Sequence, residues 1–147
     1  MGEKMYERNG VLAVLTPQSV SAGTANTGVI DMSKFEKVMF IVQCGVLGAS
    51  ATVDFVVKGD TASGGSFSTT ITGKAITQFT KADSDDGKQA IVEVDAIEVL
   101  TQGFRYIRGL VTVGTAACLL AVLALGQSSH YDPVTLYDAT TVDEIVD

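Results

Sequence analysis

Residues 104–125, FRYIRGLVTVGTAACLLAVLAL, constrain the fold more than any other stretch of the chain. Phe104 to Val113 mixes aromatic and β-branched side chains, the composition that strands favour, and Cys118 to Leu125 is almost wholly aliphatic. The Gly114-Thr115-Ala116 break between them predicts a hairpin that puts both runs in the middle of one sheet. The region must also be weighed as a membrane span, because Leu110 to Gly126 is an uncharged run of 17 residues. That length is at the short edge of what crosses a bilayer, glycines and threonines interrupt it, and no basic cluster flanks it to orient a helix. Buried strands are therefore expected, and no membrane partner.

The rest of the chain reads as further short strands separated by turn chemistry. Val11 to Leu15 is apolar and stops at Pro17; Ser19 to Gly28, rich in small polar residues, predicts a loop or a weak edge strand. Val29 and Ile30 rejoin a sheet. Lys37 to Leu47 carries Val38, Phe40, Val42, Cys44 and Val46 on one face and Met39, Ile41 and Gln43 on the other, so both of its faces are expected to be largely covered. Ala51 to Lys58 alternates cleanly, as a half-buried antiparallel strand does, and with Gly48-Ala49-Ser50 as the turn it predicts a second hairpin. Loop 59–66, GDTASGGS, precedes two short strands at 67–71 and 76–79, divided by a turn at Gly73-Lys74. The charged loop 81–88, KADSDDGK, leads to a strand at 89–94, and 95–100 is either one helical turn or an extended lead into Phe104.

About eight strands at this spacing, with no apolar stripe of helical period beyond two turns, predict an all-β sandwich or barrel-like closed sheet. We divide the chain into an N-terminal arm 1–10, a single β-sandwich domain 11–133, and a C-terminal arm or edge strand 134–147. At 147 residues, one core can be buried without disulfide or metal. Cys44 and Cys118 lie in apolar runs and read as buried thiols, which suggests a reducing compartment. No basic, apolar and small-residue sequence of a signal peptide opens the chain, so export by that route is not expected.

The formal net charge is -7, and all of it sits in residues 76–147. With no cluster of lysines and arginines to release phosphate counterions, no nucleic-acid partner is expected. The acid serves solubility or meets a basic partner surface.

Chemistry is sparsely represented. The one histidine, His130, and two cysteines 74 residues apart offer no local ligand pair for zinc. Asp83, Asp85 and Asp86 lack the terminal glutamate of an EF-hand loop and read as a solvated charged loop. Ser128 or Ser129 beside His130 cannot easily reach triad geometry, and Asp54, Glu93 and Asp95 look like ordinary outward-facing carboxylates. Residues 59–65 match neither phosphate-loop pattern. No catalytic, cofactor or metal residue is assigned, and the chain is read as a non-enzyme.

The remaining candidates concern interfaces. Arg105 and Arg108 have opposite strand parity, so one faces the core unless a bulge intervenes near Gly103 or Gly109. A buried arginine needs a carboxylate, with Glu93, Asp95 or Glu98 the nearest by topology; the alternative is a contact with a neighbouring chain. Tyr131, Pro133, Leu136 and Tyr137 form an aromatic-aliphatic cluster that either folds back over its own sheet or docks on another subunit. With Met5 and Tyr6 of the N-terminal arm, these residues are the candidate interface set.

The order of these features resembles that of tailed-phage capsid decoration, or cement, proteins. The entry segment SVSAGTANTG leads to KFEKVMFIVQCGVLGASATVDFVVKGD, then VEVDAIEVLTQGFRYIRGLVTVGTAACLLAVLALGQ and the Tyr-x-Pro exit SSHYDP, together covering roughly 11–134. The resemblance implies a jelly-roll-like β fold with extended terminal arms, a homo-dimer or homo-trimer, and a major capsid protein as partner. It also implies a place on the outside of the virion after synthesis in the host cytoplasm, with the arms as contacting parts and loops 59–66 and 81–88 facing solvent or a symmetry mate. No cofactor follows from it. The alternative is a head-fibre or tail-associated glycan-binding module, although the loops hold no aromatic platform except near Tyr131.

Overall fold

The computed structural model describes residues 4–130 and 138–146. In chain order the elements are a helical turn α1 (Met5–Arg8), β1 (Asn9–Val20), β2 (Gly23–Asn26), β3 (Ile30–Asp31), β4 (Phe35–Leu47), β5 (Thr52–Asp60), β6 (Thr69–Ala75), β7 (Phe79–Thr80), β8 (Gln89–Asp95), α2 (Ala96–Thr101), β9 (Tyr106–Gly114) and β10 (Cys118–Ser129). A 3-10 turn, Ala139–Thr141, follows.

Both expected hairpins are corrected. β9 and β10 do not pair with each other, and neither do β4 and β5; each pair crosses from one sheet to the other as an arch. The two arches lie side by side, so β4 pairs with β10 and β5 with β9, Leu47 opposite Cys118 and Thr52 opposite Gly114. The reason is burial on both sides of the turn. A hairpin would set two apolar inner faces in one sheet, whereas an arch turns them toward each other across a core, where Phe40 of β4 meets Phe55 of β5 with ring centroids 5.5 Å apart. Ser50 (φ 59°) and Thr115 (φ 69°) take left-handed conformations that swing the chain out of the sheet plane. The arches nest at Gly48, whose N–H donates to the Ala117 carbonyl at 3.0 Å. A Cβ at Gly48 would stand 2.6 Å from that oxygen, so only glycine permits the approach.

One sheet has the order β1-β10-β4-β8, which we call the first sheet; the second has β2-β9-β5-β6, with β3 extending it beside β9 and β7 beside β5. All pairings are antiparallel, and the ten strands occupy eight positions. Two facing four-position sheets with the orders β1-β10-β4-β8 and β2-β9-β5-β6 form a jelly roll. Val38, Phe40, Val42 and Cys44 of β4 pack with Val53, Phe55 and Val57 of β5 and Ile107, Val111 and Val113 of β9, all essentially inaccessible. Cys44 and Cys118 are buried free thiols, as expected, and burial pushes the Cys44 thiol up to about 11.

Smaller corrections follow from register. Pro17 does not end β1; the strand continues to Val20 through a shift between Leu15 and Gln18, a bulge that accommodates the missing donor. Val46 turns outward and Leu47 inward, because the ladder shifts between Cys118 and Leu120. Gly73 (φ 76°) kinks β6 without ending it, and Phe67 lies before that strand in a left-handed bend. Residues 96–101 take the helical alternative. A capping box starts α2, with the Asp95 N–H donating to Glu98 at 3.0 Å, and Gly103 (φ 84°) stops it. No described helix is long and apolar enough to cross a membrane, and Leu110 to Gly126 spans two strands and their arch.

Candidate interaction surface

The two outer faces of the sandwich differ in chemistry. On the second sheet the outward positions are mostly polar, with Arg108 and Thr112 on β9 and Asp54, Lys58 and Asp60 on β5. On the first sheet the almost wholly aliphatic β10 turns Leu120, Val122 and Ala124 inward, which leaves Leu119, Ala121, Leu123 and Leu125 outward. Register then builds rows. Val14, Leu123, Ile41 and Ile91 stand side by side across all four strands. The neighbouring row is Val11, Leu125, Met39 and Glu93, and Ala121, Gln43 and Gln89 form a third. Ile91 is 65% exposed at the β8 edge. An antiparallel sheet with a solvated face alternates apolar with polar residues, and β10 does not. Its face is an apolar band of the kind that marks a contact surface.

The chain's own ends border this band. Met5 of α1 lines a depression of about 130 Å³ with Met39, Leu125 and Glu93. Thr141 and Val142 line another, of about 280 Å³, with Val14, Ala121 and Leu123. The Asp138 N–H donates to the Val11 carbonyl at 3.2 Å, which ties the C-terminal segment to β1. Among the described residues, this segment is a 3-10 turn and irregular chain, not a strand.

The predicted interface residues fall in different places. Met5 and Tyr6 lie on α1; Tyr131, Pro133, Leu136 and Tyr137 lie outside the described residues. Arg105 and Arg108 are at the far end of the second sheet from the arches, and neither faces the core. Because Gly103 ends α2, Arg105 precedes β9 and escapes its parity, while Arg108 points outward with Tyr106 and Leu110. The expected partners are corrected as well. Arg105 grips Asp31 in a two-pronged bond, Nε to Oδ1 at 2.9 Å and Nη2 to Oδ2 at 2.7 Å. Glu93 and Asp95 instead meet Lys37, and Glu98 meets Lys74. Arg108 rests over the Phe67 ring at 4.6 Å and reaches the Ser66 carbonyl at 3.4 Å, closing the 59–66 loop from above. Asp60 closes it from within by accepting the Ala62 and Phe67 N–H groups.

The Arg105 guanidinium holds the Asp31 carboxyl down to about 2, with the Ser33 hydroxyl and N–H assisting. A carboxyl lowered by folding stabilises above its unfolded value, about 3.9, and that contribution is lost as pH falls through the folded value. Since Arg105 is 53% exposed, solvent screening reduces the pair to about 1 kcal/mol. Asp31→Asn is therefore expected to unfold about 1 kcal/mol more easily than the parent at pH 6, with most of that gap gone by pH 2. Urea unfolding across the range measures it, and a gap that stays constant with pH overturns the assignment.

The 81–88 loop is not a free acidic cluster. Asp85 accepts the Thr80 N–H and meets Lys88, and Asp86 accepts the Leu47 N–H and meets Lys81. Among the described residues, no group of three or more His, Cys, Asp or Glu side chains is placed to hold a metal ion. His130 presents Nδ1 to the Ser33 carbonyl at 2.7 Å.

No protein-family model matches this chain, and no curated protein does. Among solved structures the chain is similar to one from infectious bursal disease virus, Gt strain, at 10% identity and a TM-score of 0.45. The match covers 86% of this chain and 33% of the viral one, so the chain spans about a third of that protein's length. The fold assignment rests on strand order and register alone.

The band on the first sheet was missed as a site in the sequence. Its signal was present: Met39 and Ile41 opposite the inner residues of β4, and a β10 run without polar alternation.

Proposed function

We propose that this chain is a structural virion protein, a capsid decoration protein that binds the outer surface of a phage head and stabilises junctions between major capsid subunits without catalysing a reaction. The observation that carries this reading is the row Val14, Leu123, Ile41 and Ile91 on the outer face of the first sheet, a row that α1 and the C-terminal segment border. The order of sequence features shared with cement proteins supports it, and a jelly roll is a fold that capsid proteins use.

The size of the band says how such a protein would work. Four strands about 4.8 Å apart and three rows about 6.8 Å apart give on the order of 400 Å². That is about half of the roughly 800 Å² per partner in a stable interface. Glu93, Gln43 and Gln89 are polar, so at about 25 cal/mol per Å² of apolar area the band contributes roughly 7 kcal/mol gross, much of which is offset by the freedom lost on association. One copy on one isolated capsid subunit therefore binds weakly. A junction that also engages α1 or the C-terminal segment, repeated over a lattice, binds firmly.

The test uses purified protein and expanded heads that lack it. Co-sedimentation with the heads and a higher temperature of thermal rupture are expected. Heads that neither retain the protein nor gain heat resistance overturn the reading.

A further inference from the structure

A second apolar site lies at the end of the sandwich opposite the arches, away from the band. The six-residue α2 turns Val99 into the core, and its i, i+3 pair Ile97 and Leu100 stands outward, 66% and 67% exposed. With Met32 and Phe104 they line a depression of about 440 Å³, beside the polar groups of Arg105 and His130. A surface of this kind, large, apolar and next to an accessible cation, suits an aliphatic segment flanked by carboxylates.

The chain carries such a segment. Ile145 and Val146 are 45% and 82% exposed, with Asp143 and Glu144 just before them. Asp31 takes two of the five N–H donors of Arg105, which leaves the remainder for a second carboxylate.

The segment cannot reach the depression of its own chain. Val142 lines the same depression as Ala121 and Leu123 in the middle of β10, and His130 is seven residues beyond Leu123, about 23 Å at strand spacing. From Val142 to Val146 the chain spans at most about 14 Å when fully extended. Among the described residues, Ile145 and Val146 can therefore meet this depression only on another molecule.

We propose that Ile145 and Val146 of one copy dock into the α2-end depression of a second copy, with Asp143 or Glu144 meeting Arg105. The contact is head-to-tail, so it leaves one depression and one segment free for further copies and closes into a ring where the rotation permits.

Light scattering of the full chain over rising concentration tests this without any capsid, so its failure is separate from failure of the decoration reading. Association is expected by about 1 mM, and both Leu100→Ser and the double variant Ile145→Ser, Val146→Ser are expected to shift it to at least about tenfold higher concentration. All these positions are exposed, and circular dichroism confirms that the variants are folded. The decisive measurement mixes the two variants, because one keeps the segment and the other keeps the depression. A 1:1 complex is expected where neither variant associates alone. A parent monomeric at about 1 mM, a variant that associates like the parent, or a mixture that stays monomeric overturns the proposal.

Discussion

A Phe55→Ala variant is expected to lose about 4 kcal/mol of unfolding free energy, the largest stability effect of any single truncation we anticipate. Phe55 is fully buried in β5 and meets Phe40 of the other sheet at 5.5 Å, so its ring is a contact between the two layers as well as a filled volume. Its surroundings are built to admit it. A Cβ on Gly109 of the adjacent strand would stand 2.6 Å from the Phe55 ring, so β9 gives up a side chain there to make room. Truncation leaves a cavity that the paired strands β9 and β5 cannot close without breaking register. Against a total of roughly 5–15 kcal/mol for a domain of this kind, that is a large fraction. Denaturant unfolding measures it, and a loss below about 1 kcal/mol would mean that the two sheets do not pack through this residue.

The largest functional effect is expected at Ile41. Ile41→Asp places a charge in the middle of the apolar row, between Leu123 and Ile91. Burying that charge against a partner without a counterion is costly, so binding to heads should weaken by about 30-fold or more, near 2 kcal/mol. Because Ile41 faces outward, the variant should remain folded, and Ile91→Asp, at a more exposed edge position, gives a second reading with still less risk to the fold. Co-sedimentation over a titration of head concentration gives the comparison. Unchanged binding by both folded variants would move the contact surface elsewhere.

Strand positions were legible because alternation is a local property. Val53, Phe55 and Val57 face inward and Asp54, Val56 and Lys58 outward, as their spacing requires. The buried thiols followed from their apolar neighbours in the same way. Partners were not legible. Arg105 finds Asp31, 74 residues away, because β3 extends the sheet beside β9, and nothing in the local sequence distinguishes Asp31 from Glu93 or Glu98. The apolar band is half-visible in the sequence: Met39 and Ile41 read as covered, but what covers them is not distinguished from the protein's own interior. Periodicity reports that a side chain leaves water; it does not report whether it meets its own core or another molecule.

By itself, the sequence determined an all-β chain, the inward and outward faces of its longer strands and an unusually apolar final strand, because each depends on side chains within a few residues of one another; it misplaced the end of β1 and the break in β6. Only the tertiary structure decided that Gly48-Ala49-Ser50 and Gly114-Thr115-Ala116 are arches. A turn of small residues permits both a hairpin and a crossing, and the choice goes to whichever buries more apolar surface. Here two adjacent arches give each inner face a partner in the opposite sheet, and the same register lines up Val14, Leu123, Ile41 and Ile91 on the outside.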